Sequence, residues 1–286
     1  MSEFHIKNLS VVTDGKQVVE GASLVLKESE VHVLMGPNGS GKSSLLNAIM
    51  GHPKYTIKEG GISFDGVDIT NLATEKKAQA GIFLSLQHLP EIPGVTLTNF
   101  LHKAYRARNV RSDQKIQGPE KIQGLAFPKL PLRPDLEFSG TSDITPLAWP
   151  EPLERGEGPL DFYKMMEARA KEFGIDAGFL KKHLNAGLSG GEKKLSEVLQ
   201  LLALEPKFAL LDEIDSGVDV DALKKVFAVI EHLRAKGVGF LLVSHHPNLL
   251  QHIKPDHVHV MKEGKIVASG GKELVEKISR EGFDGM

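Results

Sequence analysis

The most informative stretch of this sequence is Gly36-Pro37-Asn38-Gly39-Ser40-Gly41-Lys42-Ser43. It matches the phosphate-binding P-loop pattern G-x-x-x-x-G-K-[ST] at every specified position. Residues 31–35 before it are mostly apolar and predict a buried strand, whereas residues 44–50 after it predict a helix that Gly51 ends. Strand, glycine loop and helix in this order are the context in which the pattern binds phosphate. The stretch therefore indicates a nucleotide-binding protein rather than a glycine-rich turn with a chance match.

Each part of this loop has a predicted contact with a nucleotide. The glycines allow backbone N–H groups to turn inward on a polyphosphate, and the helix N-terminus adds its partial positive charge. Lys42 would reach the β- and γ-phosphates, and the Ser43 hydroxyl would coordinate Mg²⁺. The predicted nucleotide-contacting set is Gly36, Pro37, Asn38, Gly39, Ser40, Gly41, Lys42, Ser43 and Ser44.

The composition limits the classes of protein to which the chain can belong. Of its 286 residues 41% are hydrophobic and 25% are charged, and the formal net charge of −2 gives no reason to expect a nucleic-acid partner. No run approaches the roughly 18 apolar residues of a membrane span, and the first residues lack signal-peptide features. We therefore expect a cytoplasmic protein without membrane insertion. The absence of cysteine excludes disulfides and cysteine-held clusters within the chain.

The first third of the chain is rich in β-strand signals. Short β-like runs at 4–9, 18–19 and 23–26, with the turn pair Asp14-Gly15 between two of them, predict an antiparallel sheet that leads into the P-loop strand. Residues 60–66 suggest another hairpin arm. Residues 81–86 read as a strand that ends at Gln87.

Residues 106–160 differ in composition from their surroundings. Eight of the fifteen prolines fall there, so we expect an extended insertion or loop without regular structure. One interpretation is a solvated, disordered loop. The other, which we favour, is a loop whose apolar side chains, such as Phe127 and Trp149, pack along neighbouring helices. Helical spacing returns at 160–172, where the expected core residues are Phe162, Met165, Met166 and Ala170.

In the last third of the chain, polar residues stand at the ends of predicted strands and at the start of a predicted helix. Leu188-Ser189-Gly190-Gly191-Glu192 precedes a helix with one apolar face, and its Ser-Gly-Gly turn offers backbone donors to an anion. Residues 208–213 predict a buried strand that ends in Asp212 and Glu213, and residues 239–244 predict another that ends at His245-His246. Ligands bind at this carboxyl end in open α/β sheets. The chain closes with an amphipathic helix at 222–236, a hairpin within 257–269 and a helix from about 272.

Together these motifs resemble the ATP-binding-cassette (ABC) ATPase superfamily over nearly the whole chain. The P-loop, Gln87, the signature 188–192, the Walker B run 208–213 and His245 stand in the order of that family. The resemblance implies an α/β fold of ABC ATPase type, with a P-loop NTPase core, an antiparallel β subdomain and a helical subdomain. It predicts a single domain over 1–286, with the helical subdomain at about 90–200 and the Pro/Gly-rich insertion at about 106–160.

The resemblance also implies roles for these residues in the hydrolysis of ATP with Mg²⁺. Lys42 and Ser43 would hold the phosphates and Mg²⁺, and Gln87 would complete the metal shell and sense the γ-phosphate. Asp212 would orient Mg²⁺ through water, and Glu213 would polarise the attacking water. Read alone, Asp212 could merely cap a strand end and Gln87 could be a surface glutamine. His245, which directly follows the strand serine, is taken over its neighbour as the contact to the γ-phosphate. Many transport cassettes stack adenine on an aromatic residue in the stretch that corresponds to 12–20; this chain has none there, so the resemblance suggests aliphatic contact with the base, with Val18 as the candidate.

Cassettes of this family sandwich two ATP molecules between two protomers. The resemblance therefore implies that Ser189 and Gly191 serve the nucleotide held by a second subunit. It predicts a transient, ATP-dependent homodimer of cassettes.

One branch of the superfamily resembles the chain more closely than transport cassettes do. The SufC-type ATPase of iron–sulfur cluster assembly is similar to it at 81–87, 91–95, 189–194, 212–223 and 255–267. Transport cassettes usually carry Pro-Thr-Ser-Ala-Leu-Asp after Walker B, whereas this chain has Ile214-Asp215-Ser216-Gly217-Val218-Asp219. The departures from the branch are Leu195-Ser196 in place of Arg-Asn, Ser29 in place of glycine, and the insertion. This resemblance implies SufB/SufD-like scaffold subunits as partners.

Three functions are therefore open. The chain is an ATPase subunit that drives a conformational change in an iron–sulfur scaffold, the nucleotide-binding subunit of a membrane transporter, or a binding module that ATP occupancy gates with little turnover. Co-purification with scaffold proteins or with a membrane permease separates the first two, and a measurement of turnover separates the third. Glu213 favours real hydrolysis.

Overall fold

A six-stranded sheet carries the P-loop, and a four-stranded antiparallel sheet packs against one of its faces. The computed structural model describes residues 2–85, 91–109, 158–246 and 249–283. Gln87 and most of the predicted insertion, residues 110–157, lie outside the described residues.

The antiparallel sheet has the strand order β2-β1-β4-β5. Its strands are β1 (Glu3–Thr13), β2 (Lys16–Lys27), β4 (Thr56–Phe64) and β5 (Val67–Asp68). Asp14 and Gly15 both have positive φ (49° and 74°), as a two-residue type I′ hairpin turn requires, so the predicted turn is confirmed. The predicted runs 18–19 and 23–26 are corrected, because both belong to the single strand β2.

The core sheet has the strand order β12-β11-β3-β10-β9-β6. Its strands are β3 (Val31–Met35), β6 (Ile82–Ser85), β9 (Phe208–Asp212), β10 (Gly239–Ser244), β11 (His257–Lys262) and β12 (Lys265–Gly270). All neighbours pair in parallel except β12, which forms the predicted hairpin with β11. The carboxyl ends of β3, β9 and β10 therefore meet at one edge of the sheet, and this edge carries the P-loop and Walker B residues.

The core sheet buries a different set of side chains on each face. On one face Leu34, Leu210 and Leu241 pack with the antiparallel sheet and with the P-loop helix α1 (Lys42–Met50). On the other face Val33 and Leu211 pack with the helices of the second half of the chain. The strands are thus buried on both sides, which explains why they read as continuous apolar runs in the sequence.

The remaining elements are mostly helices. They are α2 (Thr74–Ala80), β7 (Ile92–Thr96), α3 (Leu97–Asn109), α4 (Pro159–Glu172), a 3-10 helix (Ala177–Lys181), β8 (His183–Leu184), α5 (Gly190–Leu204), α6 (Val220–Ala235), α7 (Leu249–His252) and α8 (Lys272–Glu281). All the longer helices after α2 pack on the second face, whereas α2 packs on the first. Phe162, Met165, Met166 and Ala170 of α4 are buried, as predicted. Among the described residues, no helix is both long and apolar enough to cross a membrane.

The boundaries of the predicted insertion need correction at both ends. Helix α3 continues through residues 106–109, and α4 begins at Pro159, which is common at the first position of a helix. The sequence reasoning missed α3, although the buried Leu97 and Leu101 and the half-buried Tyr105 recur every four residues. This spacing is the signal that could have found it.

Candidate nucleotide-binding and hydrolysis site

The P-loop passes so close to other backbone segments that two of its positions admit only glycine. A Cβ on Gly36 (φ 151°) would lie 2.1 Å from the carbonyl oxygen of Met261, and one on Gly41 (φ 103°) would lie 2.4 Å from that of Val18. Gly39 also has positive φ (79°), but a Cβ there would meet no atom within 4 Å. The loop therefore packs directly against the backbone of β2 on one side and of the β11–β12 hairpin on the other.

Hydrogen bonds fix this position. The backbone N–H of Gly264, in the β11–β12 turn, donates to the carbonyl of Ser40 at 2.9 Å, and the N–H of Glu20 in β2 donates to the carbonyl of Gly264 at 2.8 Å. Val18, the residue that we considered for base contact, lies two residues before Glu20 and borders the loop. The phosphate-binding loop is thus held by segments from both ends of the described chain.

Lys42 lies at the start of α1 and is almost completely buried. Its Nζ donates to the carbonyl oxygens of Gly36 and Pro37, each at 2.9 Å. Burial lowers the pKa of Lys42, and the nearby charges of Glu213 and Asp212 act in the opposite direction. The ammonium group is therefore held inside the loop, beside the carboxylates that end β9.

Asp212 is the last residue of β9 and is 2% exposed. Its side chain lies close to that of Ser43, and its Oδ1 atom is buried with no hydrogen-bond partner among the described residues. Burial raises the pKa of Asp212, because the charged form loses hydration. A hydroxyl beside a carboxylate with a free buried oxygen is the kind of oxygen ligand set that Mg²⁺ accepts, so the residues fit this ion.

Glu213 and His245 form a pair at the same edge of the sheet. The Nδ1 atom of His245 lies 3.1 Å from Oε1 of Glu213. Glu213 has a left-handed backbone (φ 49°), which is rare outside glycine, and its N–H donates to the carbonyl of Val243 in β10 at 3.0 Å. The neighbouring His246 is exposed. The structure therefore brings together Lys42, Asp212, Glu213 and His245, as the sequence order suggested.

The signature residues lie at an exposed helix start. Ser189 is the N-cap of α5: its Oγ accepts from the N–H of Glu192 at 3.3 Å, and its own N–H donates to the carboxylate of Glu192 at 2.8 Å. Lys182 donates to the same carboxylate, and these bonds lower the pKa of Glu192 to about 2. Gly191 lies in the first turn of α5, beside Asp219. Within this single chain Ser189 and Gly191 thus contact their own helix and its neighbour rather than the P-loop.

The sequence reasoning missed a buried charged pair behind Walker B. Glu197 of α5 is 1% exposed, accepts from the Ser85 hydroxyl at 2.6 Å and forms an ion pair with Lys194 at 3.0 Å. Lys194 also donates to the backbone carbonyl of Asp212 at 3.5 Å. The pair joins α5 to the ends of β6 and β9, just before the position of Gln87. In the sequence, a lysine and a glutamate three residues apart on a helix have the spacing of an ordinary surface pair, so no local signal indicates that this pair is buried.

Comparison with known proteins gives the family. Residues 19–216 match the family model described as ABC transporter. Vegetative protein 296 of Bacillus subtilis (strain 168) is 39% identical over 283 residues, which cover 99% of this chain and 92% of that protein. A probable ATP-dependent transporter of Synechocystis sp. is 40% identical over 279 residues, covering 98% and 93% of the two chains.

Solved structures show the same fold. A nucleotide-free ATP-binding cassette from an ABC transporter superposes with a TM-score of 0.66 at 24% identity, covering 98% of this chain and 95% of that one. A cassette in a dimeric, post-hydrolysis state bound to ADP and Pi superposes with a TM-score of 0.67 at 18% identity, covering 94% and 98%. These structures confirm the α/β architecture with its P-loop core. The match to the family model over residues 19–216 confirms ATP as the nucleotide, Mg²⁺ as its metal ion and ATPase activity. The chain belongs to the ABC transporter family of ATP-binding cassettes.

Proposed function

We propose that this chain is the ATP-hydrolysing subunit of a cytoplasmic iron–sulfur cluster assembly complex, in which ATP-driven dimerisation of cassettes remodels a SufB/SufD-like scaffold. The Glu213–His245 pair beside Asp212 is the observation that supports hydrolysis. The SufC-like segments, above all 212–223, support the choice of complex. We further propose that residues 1–286 form one cassette domain, with the insertion as part of its helical subdomain.

Phosphate binding is proposed for the P-loop and its lysine. The Nζ of Lys42 has two carbonyl partners that are neutral, and phosphate oxygens would attract the ammonium more strongly because they are charged. Ser43, Asp212 and Gln87 would hold Mg²⁺, which when bound neutralises charge on the β- and γ-phosphates. The unpartnered buried Oδ1 of Asp212 supports this role.

The proposed roles of Glu213 and His245 follow from their contact. A carboxylate hydrogen-bonded to an imidazole is fixed in orientation, and a fixed carboxylate can hold and polarise a water molecule. The same imidazole has a second ring nitrogen, which is available to a γ-phosphate oxygen. His245 has this arrangement and His246 does not, so His245 remains our candidate.

Variants separate binding from hydrolysis. Lys42→Ala should abolish tight ATP binding, whereas Glu213→Gln should preserve binding and lower the rate of phosphate release by about 10²–10⁴-fold, the usual contribution of a positioned acid or base. His245→Ala should act on the rate in the same direction. His246→Ala is the matched control, because its side chain is adjacent but exposed. Robust hydrolysis by the Glu213 variant would refute the assignment.

Dimerisation is proposed because Ser189 and Gly191 lie at an exposed helix start rather than at their own P-loop. The helix start offers backbone N–H groups and a positive partial charge to an anion on another protomer. A solved cassette of the same fold is dimeric with ADP and Pi, which supports this arrangement. Specific activity should therefore rise with protein concentration toward a plateau. High activity that is independent of concentration in a proven monomer would contradict it.

The partner decides between a scaffold complex and a membrane transporter. Relatives of this chain carry names such as probable ABC transporter ATP-binding protein in Streptococcus pyogenes, which keeps the transporter as the second candidate. Affinity purification of the tagged chain from its own cells, with the soluble and membrane fractions kept separate, tests the choice. Recovery of a cluster-binding scaffold supports our proposal, and recovery of an integral membrane permease rejects it.

The insertion is proposed to add to the docking surface for that partner, because the helical subdomain that it interrupts is the docking region of cassettes. Deletion of residues 110–155 should leave nucleotide affinity unchanged and weaken association with the partner. If partner association and stability are both unchanged, and limited proteolysis cuts this segment rapidly, the insertion is a solvated loop.

A further inference from the structure

Three histidines and a glutamate meet at the end of the core sheet that lies opposite the P-loop. His32 is at the start of β3, whose other end leads into the P-loop, and it pairs in register with His257 at the start of β11. His259 lies two residues further along β11, on the same face as His257. Glu30 directly precedes β3. The group joins two segments about 225 residues apart in sequence, and the hydrolysis site does not use it.

The distances within this group are those of a small ligand set. One carboxylate oxygen of Glu30, one ring nitrogen of His32 and one of His257 all lie within 4.8 Å of one another. Oε2 of Glu30 is 3.1 Å from Nε2 of His32, and the rings of His32 and His257 have centroids 4.6 Å apart. His32 is 2% exposed, whereas His257 is exposed, so the set has one fixed member and one member that solvent can reach.

The other ring nitrogen of His32 is supported from behind. Its Nδ1 lies 3.0 Å from Nε2 of His259, and Nδ1 of His259 lies 2.8 Å from the Ser269 hydroxyl. If His32 carries its proton on Nδ1, it donates to His259, which in turn donates to Ser269. With the hydrogen bonds running in this direction, the Nε2 lone pair of His32 faces Glu30. Metal-binding histidines are held in this way, by a hydrogen bond from the ring nitrogen that does not bind the metal.

If these hydrogen bonds run in the opposite direction, every polar ring atom of His32 and His259 has a partner without a metal. Ser269 then donates to His259, His259 to His32, and Nε2–H of His32 to the Glu30 carboxylate. A cation would replace that single proton between Nε2 and Oε2, and the chain of hydrogen bonds would reverse. No buried polar atom of His32 or His259 loses a partner in the exchange, so the exchange carries no desolvation penalty for them.

We propose that Glu30, His32 and His257 form a zinc site that bridges β3 and β11. Two imidazoles and a carboxylate are a ligand set typical of Zn²⁺, with water in the fourth position. Tetrahedral ligands of zinc are separated by roughly 3.4 Å. The three ligand atoms lie within 4.8 Å of one another, so a small movement of the exposed His257 completes the geometry. The consequence is a cross-link between the strand that leads into the P-loop and the strand whose Met261 borders Gly36.

The test uses the untagged full-length chain, freed of metal by a chelator and titrated with Zn²⁺ against a chromophoric competitor in excess Mg²⁺. We expect one equivalent to bind with a dissociation constant below about 1 μM, and His257→Ala to weaken it at least tenfold. His5→Ala is the matched control. Glu3-Phe4-His5 repeats the Glu-x-His spacing, with Nε2 and Oε2 2.9 Å apart. Among the described residues, however, a group of three ligand atoms within 4.8 Å of one another occurs only at the proposed site.

Thermal unfolding provides a second measurement. Zinc should raise the melting temperature of the wild type and of His5→Ala by the same amount, because a ligand that binds the folded state stabilises it. The rise should be smaller for His257→Ala, because its binding is weaker. Cobalt in place of zinc should give the intense visible spectrum of a tetrahedral site in the same two proteins. Absence of a stoichiometric site, or equal binding by His257→Ala and the wild type, would overturn the proposal.

Discussion

The steric fit of the P-loop can be tested by adding one methyl group at two of its glycines. Gly36→Ala places a Cβ 2.1 Å from the carbonyl oxygen of Met261, whereas Gly39→Ala places one in open space. Both positions have positive φ, so both variants carry backbone strain. Only the first adds a collision with the backbone of β11. The pair therefore separates the effect of conformation from the effect of close packing.

The expected magnitudes follow from these two contributions. A left-handed backbone costs an alanine about 1–2 kcal/mol, which is the whole loss expected for Gly39→Ala. At Gly36 the strain of a conformation that favours glycine is about 1–3 kcal/mol, and a clash with rigid backbone adds about 1–3 kcal/mol. Gly36→Ala should thus lower the free energy of unfolding by about 2–6 kcal/mol, the sum of these two ranges. It should also displace the loop and weaken ATP binding.

Urea unfolding followed by circular dichroism measures the difference, with linear extrapolation to water. Nucleotide binding is measured on the same samples by equilibrium titration with a fluorescent ATP analogue. If Gly36→Ala is no less stable than Gly39→Ala, the loop does not pack against the backbone of Met261, and the steric argument fails.

Three further predictions test other parts of the structure by urea unfolding. Burial lowers the pKa of Lys77 from 10.5 to about 8, so between these pH values the unfolded chain binds a proton that the folded chain lacks. Lys77 should therefore make stability rise with pH in this window by at most about 1.4 kcal/mol per unit, and Lys77→Met should remove this contribution. Phe162→Ala should cost about 3–5 kcal/mol, whereas Leu160→Ala, 64% exposed on the same helix, should change stability by less than about 0.5 kcal/mol. Asp219→Ala should cost about 1 kcal/mol, because its carboxylate caps two N–H groups of α6.

The buried strands of the core sheet were predictable because their signal is local. Residues 208–212 and 239–244 are continuous apolar runs bounded by polar residues or turns, and a strand covered on both faces needs nothing else. The convergence of Asp212, Glu213 and His245 was also predictable, since parallel strands bring their carboxyl ends to one edge. The order of the motifs, which matches that of the ABC family, then identified which residues in the chain belong to the site.

What the sequence did not reveal depends on partners that are distant in the chain. Strand β2 was divided because Glu20-Gly21 interrupts its apolar pattern, but pairing with β1 carries the strand through that irregularity. The ion pair of Lys194 and Glu197 looks like an ordinary helix-surface pair until β6 supplies Ser85. Periodicity describes one element at a time, and these features arise where two elements meet.

The position of β3 between β10 and β11 has a consequence for synthesis. The strand that leads into the P-loop is the first strand of the core sheet to leave the ribosome, but both strands that flank it are made roughly 200 residues later. At about 5–20 residues per second this is a delay of roughly 10–40 s. During that time the backbone N–H and C=O groups of β3, a strand with mostly apolar side chains, have no hydrogen-bonding partner in the core sheet. A nascent chain therefore completes its phosphate-binding loop only after β10 and β11 have been synthesised, and the early segment is a natural client for chaperones that shield unpaired strands.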